Sequence, residues 1–266
     1  MIKKIKIIFR IIFKKKITVQ QQFENKLKNN NQINSFERNK DEYLVDLISG
    51  FKLHIRNQNY SDYDVFQQIF CDKEYEIILK MFLLNKFQDQ RKIIIDAGAN
   101  VGYTSVFFSL FLSEPKIFGL EPSGENCKIY LKNIKNLENI KIYQNALSER
   151  SNTFFNLDKS FRDGRDWSIS TEENKNGNVK GISIQEIIDE NKLNYISLLK
   201  MDIEGAERFI FKKYSNFDFL KITQIIAVEI HDEYDVRLSI YDILRENNFF
   251  LFECGELTVG INKLLI

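Results

Sequence analysis

Residues 93–102 read Ile-Ile-Ile-Asp-Ala-Gly-Ala-Asn-Val-Gly, a short β-branched run that ends on Asp96 and turns through Gly98 and Gly102. Such a run suits a buried strand, and the glycines let the backbone turn tightly beneath a ligand while the next segment, YTSVFFSLFL, offers a helix N-terminus. The alternation continues outward. KIFGLEP at 116–122 is a second strand, and SGENCKIYLKNIKNL at 123–137 is a helix with Ser123 as its cap and Glu125 in its first turn. KIYQNAL is a third strand, NTFFNL and WSISTEE form a hairpin, and SIQEIIDEN is a helix capped by Ser183. YISLLKMD, ITQIIAVEIH and FFLFEC are further strands, separated by the helices EGAERFIFKKY and YDILRENN, with a last strand after Gly255. Strands alternating with helices predict an α/β fold, a parallel sheet with right-handed crossovers and helices on both faces.

Composition agrees with a globular chain. The 266 residues are 44% hydrophobic and 28% charged, with 23 Phe, which allows a substantial core and excludes low-hydrophobicity disorder and collagen-like repeats. Cys71, Cys127 and Cys254 are widely spaced, so neither a disulfide framework nor a structural zinc site is readable and a reducing compartment is expected.

Charge is unevenly spread. The whole chain carries +1, but its first 20 residues hold seven Lys and Arg and no acid, which leaves −6 for the remainder. On a helical wheel Lys3, Lys6, Arg10 and Lys14 fall opposite Ile2, Ile5, Ile8, Phe9, Ile12 and Phe13, so residues 1–20 read as a basic amphipathic helix. It is too short to span a bilayer and lacks a secretion cleavage site; lying on an anionic membrane surface through residues 1–16 is the functional reading, a docked or frayed terminal helix the plain one. Residues 21–42 are polar and read as a linker or loosely held helix, 43–90 as a small N-terminal cap, and 91–266 as the main domain. A cytoplasmic protein, peripheral at the inner membrane surface, is expected.

Ligands of such a sheet lie at the carboxyl ends of its strands, where acids gather in this chain. A nicotinamide fingerprint would carry three glycines, but Asn100 stands where the second would be, and Asp96 would repel a pyrophosphate while suiting an ammonium group. Glu121 follows Asp96 by 25 residues, the spacing at which an acid binds ribose hydroxyls. Together these describe an adenosyl ligand that is not a dinucleotide.

IIIDAGANVGYTS, GLEPSGENCKIYLKNI, LLKMDIEGAE and AVEIH, in that order, resemble the FkbM-type S-adenosylmethionine-dependent methyltransferases of the class I Rossmann-like group. The resemblance covers about residues 60–266, beginning at VFQQIFCDKEYE, and leaves the first 40 residues uncovered. It implies a seven-stranded, mostly parallel sheet whose last strand is antiparallel, S-adenosylmethionine as methyl donor, and O-methylation of a hydroxyl, most often on a sugar of a surface glycan or a related natural product. By the same resemblance Asp96, Gly98, Asn100 and Gly102 line the methionine and ribose portion of the donor, Glu121 holds the ribose, and Asn145 or Ala146 lies beside the adenine.

Asp202 and Glu204 are two residues apart, as are Glu229 and His231, so each pair projects to one side if its strand stays extended. Neighbouring strands across the switch point would then gather carboxylates and an imidazole beside the sulfonium. His231 is the expected general base, because a near-neutral pKa suits removal of the hydroxyl proton, with Asp202 or Glu229 orienting it or gripping acceptor hydroxyls. A less favoured version has Asp202, Glu204 and Glu229 bind a divalent metal ion that lowers the hydroxyl pKa. Arg162, Asp163, Arg165, Asp166 and Trp167 form a loop that suits either glycan contact or a solvated hairpin tip. Nucleic acid is not an expected partner: Pro115 and Pro122 are followed by Lys and Ser, which fits neither an Asn-Pro-Pro-Tyr-like loop nor a Pro-Cys site, and the body is acidic. The alternative from another class is a non-catalytic binding protein of this fold tethered at a membrane surface.

Overall fold

A computed structural model describes residues 17–57, 59–84, 91–158 and 170–265. The basic segment 1–16 and the loop from Arg162 to Trp167 lie outside the described residues. After the helix Val19–Asn29 comes an antiparallel sheet, β1 (Ile33–Arg38), β2 (Glu42–Leu47) and β3 (Lys52–Arg56). It then lays down β4 (Ile93–Ala97), β5 (Lys116–Leu120) and β6 (Ile140–Tyr143). A small sheet follows, built from β7 (Ala146–Leu147), β8 (Phe154–Asp158), β9 (Ser170–Glu173) and β10 (Val179–Ile182). The chain finally returns to the large sheet as β11 (Ile196–Met201), β12 (Thr223–Glu229), β13 (Phe249–Cys254) and β14 (Leu257–Asn262).

The large sheet has seven strands in the order β13-β14-β12-β11-β4-β5-β6, and only β14 runs against the rest. This is the Rossmann-like class I arrangement expected from the sequence. The fourth and fifth strands of the chain's parallel core, β11 and β12, are neighbours as anticipated, but the strand order reverses one position away, between β4 and β11. Successive side chains point to opposite faces, as a pleated strand requires. Ile94, Leu198 and Ile225 enter one core with the helices Tyr103–Phe111 and Gly124–Asn133; Ile95, Leu199 and Ile226 enter the other with Ile184–Asn191 and Arg237–Glu246. The seven-strand sheet is therefore covered on both sides.

Three local expectations need correction. Residues 21–42 are not a linker: Val19–Asn29 is a helix closed by a Thr18/Gln21 capping box, and β1 follows it. Phe23 and Leu27, four residues apart, are buried, and Phe23 stacks on Tyr63 with ring centroids 3.8 Å apart, which fixes an otherwise polar segment. The third strand breaks after Tyr143, so that Ala146–Leu147 pairs with β10 in the small sheet. The helix expected over 204–214 shrinks to Glu207–Ile210, because Glu204 (φ 52°) and Gly205 (φ 85°) turn the chain through left-handed conformations first.

The N-terminal cap docks on the same face as the helix Tyr103–Phe111. Arg56 and Asp62, both buried, form an ion pair at 2.6 Å, and Arg56 also donates to Asn126 Oδ1 at 3.0 Å. His54 contributes its backbone, with Asn133 Oδ1 accepting from its N–H at 2.7 Å and Tyr103 donating to its carbonyl at 2.9 Å. Among the described residues no helix is long and apolar enough to cross a membrane.

A second buried pair ties the sheet at its reversal point. Lys200 of β11 is in register with Asp96 of β4, and its Nζ lies 3.2 Å from Asp96 Oδ1 and 2.7 Å from the Gly98 carbonyl, with the two side chains 3% and 0% exposed. Replacing Lys200 by Met keeps the stem and strands the Asp96 charge. We expect Lys200→Met to lose about 3–5 kcal/mol of unfolding free energy in chemical denaturation, and Asp96→Asn added to it to restore most of that loss. A single variant as stable as the parent would show that the pair does not tie the strand ends.

Candidate active site

A cavity of about 380 Å³ opens over the carboxyl ends of β4, β5, β11 and β12 and is roofed by the N-terminal cap. Its floor is the turn after β4. Gly98 sits at φ 77°, and a Cβ there would lie 1.7 Å from the Asp202 carbonyl oxygen, so only glycine lets the ends of β4 and β11 approach this closely. Gly102 (φ 84°) is needed for a different reason: a Cβ would lie 2.0 Å from the Tyr130 ring, on which the two helices of that face pack.

Glu121, at the end of β5, is 5% exposed. Its carboxylate accepts from the backbone N–H of Asn100 at 2.9 Å and of Ser123 at 2.8 Å, and from Asn126 Nδ2 at 3.3 Å. Burial pushes its pKa up to about 7 against these hydrogen bonds. The side-chain carbonyl of Asn100, also on the cavity wall, is buried and has no hydrogen-bond partner.

Of the donor-side residues expected from the sequence, Gly98, Asn100, Glu121, Asn145 and Ala146 line the cavity. Asp96 and Gly102 do not. Asp96 is wholly buried against Lys200 and Ser105, and Gly102 packs against the Tyr130 ring.

The opposite wall is acidic. Asp202, Glu204 and Glu229 all line it, joined by Glu256 from the β13–β14 turn and Glu74 from the cap. The expected projection from extended strands is not how they meet. Glu204 folds back through its left-handed turn, placing Oε2 3.3 Å from His231 Nε2, while Glu229 Oε1 lies 3.7 Å from the same nitrogen. His231 Nδ1 faces Glu207 Oε1 at 3.1 Å, and that oxygen also accepts from the Ile203 and Gly205 N–H groups.

His231 therefore stands behind the wall rather than on it. It is 2% exposed. Burial pulls its pKa down, but the hydrogen bonds and charges of Glu204 and Glu207 override that and push it up to about 11. That upward shift, with carboxylates at both ring nitrogens, does not fit the general base expected of it. Its ring lies within 4 Å of three carboxylates, those of Glu204, Glu207 and Glu229. Glu229 moves up to about 9, by burial first and the neighbouring Asp202 second. The expected metal set also changes: ligand atoms of Asp202, Glu229 and His231, not Glu204, lie within 4.8 Å of one another.

Sequence reasoning missed Lys200, Glu256 and Glu74. Lys200 left a signal, since a lysine inside the apolar run LLKMD demands a buried counter-charge on the neighbouring strand. The other two sit in turns and carry none.

A sequence profile described as the Methyltransferase FkbM domain matches residues 96–255. Similar solved structures include a SAM-dependent methyltransferase from Agrobacterium tumefaciens, 10% identical, covering 85% of this chain and 72% of that one with a TM-score of 0.44. Another is fibrillarin of Aeropyrum pernix with S-adenosyl-L-methionine bound, 11% identical, covering 86% and 99% with a TM-score of 0.38. A third is precorrin-6y C5,15-methyltransferase of Geobacter metallireducens, 10% identical, covering 71% and 88% with a TM-score of 0.40. None of these likenesses bears on what the chain acts upon. No curated protein matches the chain.

The site has a pH signature. Glu74 and Glu121 (each raised to about 7), Glu229 (about 9) and His231 (about 11) all hold their protons more tightly folded than unfolded. Their stabilising contribution is complete below the ordinary values, 4.5 for the carboxyls and 6.5 for the imidazole, and is lost as pH rises through the folded values. Carboxylates held low, such as Asp46 beside Lys52, change only in more acid solution. The ligand-free melting temperature should therefore fall from about pH 5 to about pH 9, and fall less steeply in Glu229→Gln; a flat or rising profile would contradict the burial of these groups.

Proposed function

The chain belongs to the FkbM methyltransferase family, a family of S-adenosylmethionine-dependent enzymes, and from that premise we propose that it methylates a hydroxyl of a sugar in a surface glycan or related natural product. One observation carries the reading: a single cavity joins Asn100 and Glu121 on one wall to Asp202, Glu204 and Glu229 on the other. The first wall fits the donor. Glu121 is anchored by backbone N–H groups with lone pairs left for ribose hydroxyls, the Asn100 side-chain carbonyl offers a further acceptor, and Asn145 and Ala146 flank the space for the adenine.

When bound, S-adenosylmethionine supplies a methyl group activated on a positively charged sulfur. The residues do the rest. Glu121 and the turn around Gly98 fix the donor, so the reaction becomes a positioned encounter rather than a diffusional one. Asp202 and Glu229 grip acceptor hydroxyls, and negative charge on this wall favours an acceptor that is neutral or cationic over an anionic one. His231 holds Glu204 and Glu229 from behind. The proton of the attacking hydroxyl leaves to a carboxylate of the acidic wall.

A second reading places a divalent ion at Asp202, Glu229 and His231, favoured by their spacing alone. His231 would have to surrender its proton to join such a site. Turnover that survives thorough chelation is expected; loss of turnover restored by magnesium alone would favour the ion.

Glu121→Gln should weaken S-adenosylmethionine binding by about 1.5–3 kcal/mol, roughly ten- to a hundredfold in calorimetry, because a charged acceptor of ribose hydroxyls is lost. Unchanged affinity would remove Glu121 from the donor site. Transfer of labelled methyl from S-adenosylmethionine to a panel of p-nitrophenyl glycosides tests the reaction class: transfer to a sugar oxygen supports the proposal, and donor binding without transfer to any hydroxyl or other acceptor would favour the non-catalytic alternative.

A further inference from the structure

Resting on that reading, we propose that Glu74, carried by the N-terminal cap and not by the sheet, is the catalytic residue that takes the proton of the attacking hydroxyl. Each carboxylate at the ends of β11 and β12 has a cationic side chain within 4 Å. Glu204 and Glu229 face the His231 imidazolium at 3.3 and 3.7 Å, and Asp202 lies 3.8 Å from the Lys200 ammonium. Glu256 lies on an exposed turn, where water competes for it. Glu74 differs from all of them. It is partly buried, it lines the cavity, and among the described residues no hydrogen bond or ion pair engages its carboxylate.

The backbone presents it deliberately. The π-helical turn Gln67–Cys71 is followed by Asp72 and by Lys73 in a left-handed conformation (φ 58°), and the Glu74 N–H then closes back on the Gln68 carbonyl at 3.1 Å. Gln67 Nε2 donates to Asp72 Oδ1 at 2.7 Å, and Tyr75, the next residue, is 2% exposed in the core. Held at both ends, this turn places Glu74 on the cavity lining. The groups that act electrostatically on Glu74 are Asp202 just after β11, Lys200 of β11, Glu256 from the β13–β14 turn, and Asp72 on its own turn. Burial, then Asp202, lift its pKa to about 7, the range in which a base is free at neutral pH yet still binds a proton.

In the step, an oxygen lone pair of the acceptor forms the bond to the methyl carbon as the carbon–sulfur bond breaks. The bonding pair stays on sulfur, which becomes a neutral thioether. The hydroxyl proton passes to Glu74, which returns it to water once the ether product leaves. Charge balances, since one sulfonium and one carboxylate become two neutral groups.

The test uses the full chain and compares S-adenosylmethionine with S-adenosylhomocysteine, which lacks the methyl group and its positive charge. Calorimetry near pH 7 in buffers of different ionisation enthalpy counts the protons released by each. A sulfonium facing Glu74 lowers the pKa of its carboxyl, so the parent should release more protons with S-adenosylmethionine, and Glu74→Gln should at least halve that difference while both ligands still bind. A difference that is absent in the parent, or undiminished in Glu74→Gln, overturns the proposal. If neither ligand binds the parent, the proposed function itself falls and takes this inference with it. With any glycoside that the parent methylates, Glu74→Gln at saturating donor should lower kcat about a hundredfold or more and abolish the rise of kcat with pH, with partial recovery in Glu74→Asp. A Gln variant that keeps the parent's kcat and pH profile would equally overturn it.

Discussion

The contact between Lys200 and Asp96 is the constraint on which the site depends. It joins the ends of β4 and β11 where the strand order reverses, in a place with almost no water to screen either charge. An isolated charge there would cost several kcal/mol, so the two side chains must stay together. Burial alone would lower the lysine's pKa, but Asp96 and Asp202 outweigh it and keep the ammonium charged. The same ammonium donates to the Gly98 carbonyl, which pins the turn beneath the cavity. One buried cation thus fixes the floor of the donor wall and faces the first acid of the acceptor wall.

The acceptor wall depends on a second cation. Asp202, Glu204, Glu229, Glu256 and Glu74 crowd one cavity, and like charges at such range raise one another's proton affinity. His231 offsets part of this by sitting between Glu204 and Glu207, and Glu207 in turn braces the turn after β11 through two backbone N–H groups. What remains is a surplus of negative charge on the cavity wall, which on the proposed reading faces the sulfonium. Such a field favours a cationic donor in the bound state, and it is partly discharged once the methyl group has moved.

Much of this was legible in the sequence, because the buried strands alternate with helices and their acids fall at strand ends. The succession of β4, β5, β11 and β12 along the chain, the Ser123 and Ser183 caps, and the place of Glu121 at a strand end needed only periodicity and turn chemistry, whereas the reversal between β4 and β11 did not show in them. Other features lay beyond it. Residues 21–42 look polar because only Phe23 and Leu27 hold their helix down, too few for a periodic signal. The pairing of Glu204 with His231 was hidden because spacing arguments assume an extended strand, whereas the chain turns left-handed at Glu204. His231 suggested a base because its ordinary pKa is near neutral, yet its ionisation is set by Glu204 and Glu207, both within the segment EGAERFIFKKY that periodicity assigned to a helix. Glu74 belongs to a different structural layer, and only the docking of the cap brings it over the strand ends.

The most direct measurement is a crystal structure of the full chain grown with S-adenosylhomocysteine. The expected result has the adenosyl group in the cavity over the turn after β4, ribose hydroxyls hydrogen-bonded to Glu121, the sulfur turned toward the acidic wall, and Asp96 still paired with Lys200. A ligand bound outside this cavity, or one whose ribose is held by a residue other than Glu121, would overturn the assignment of the two walls.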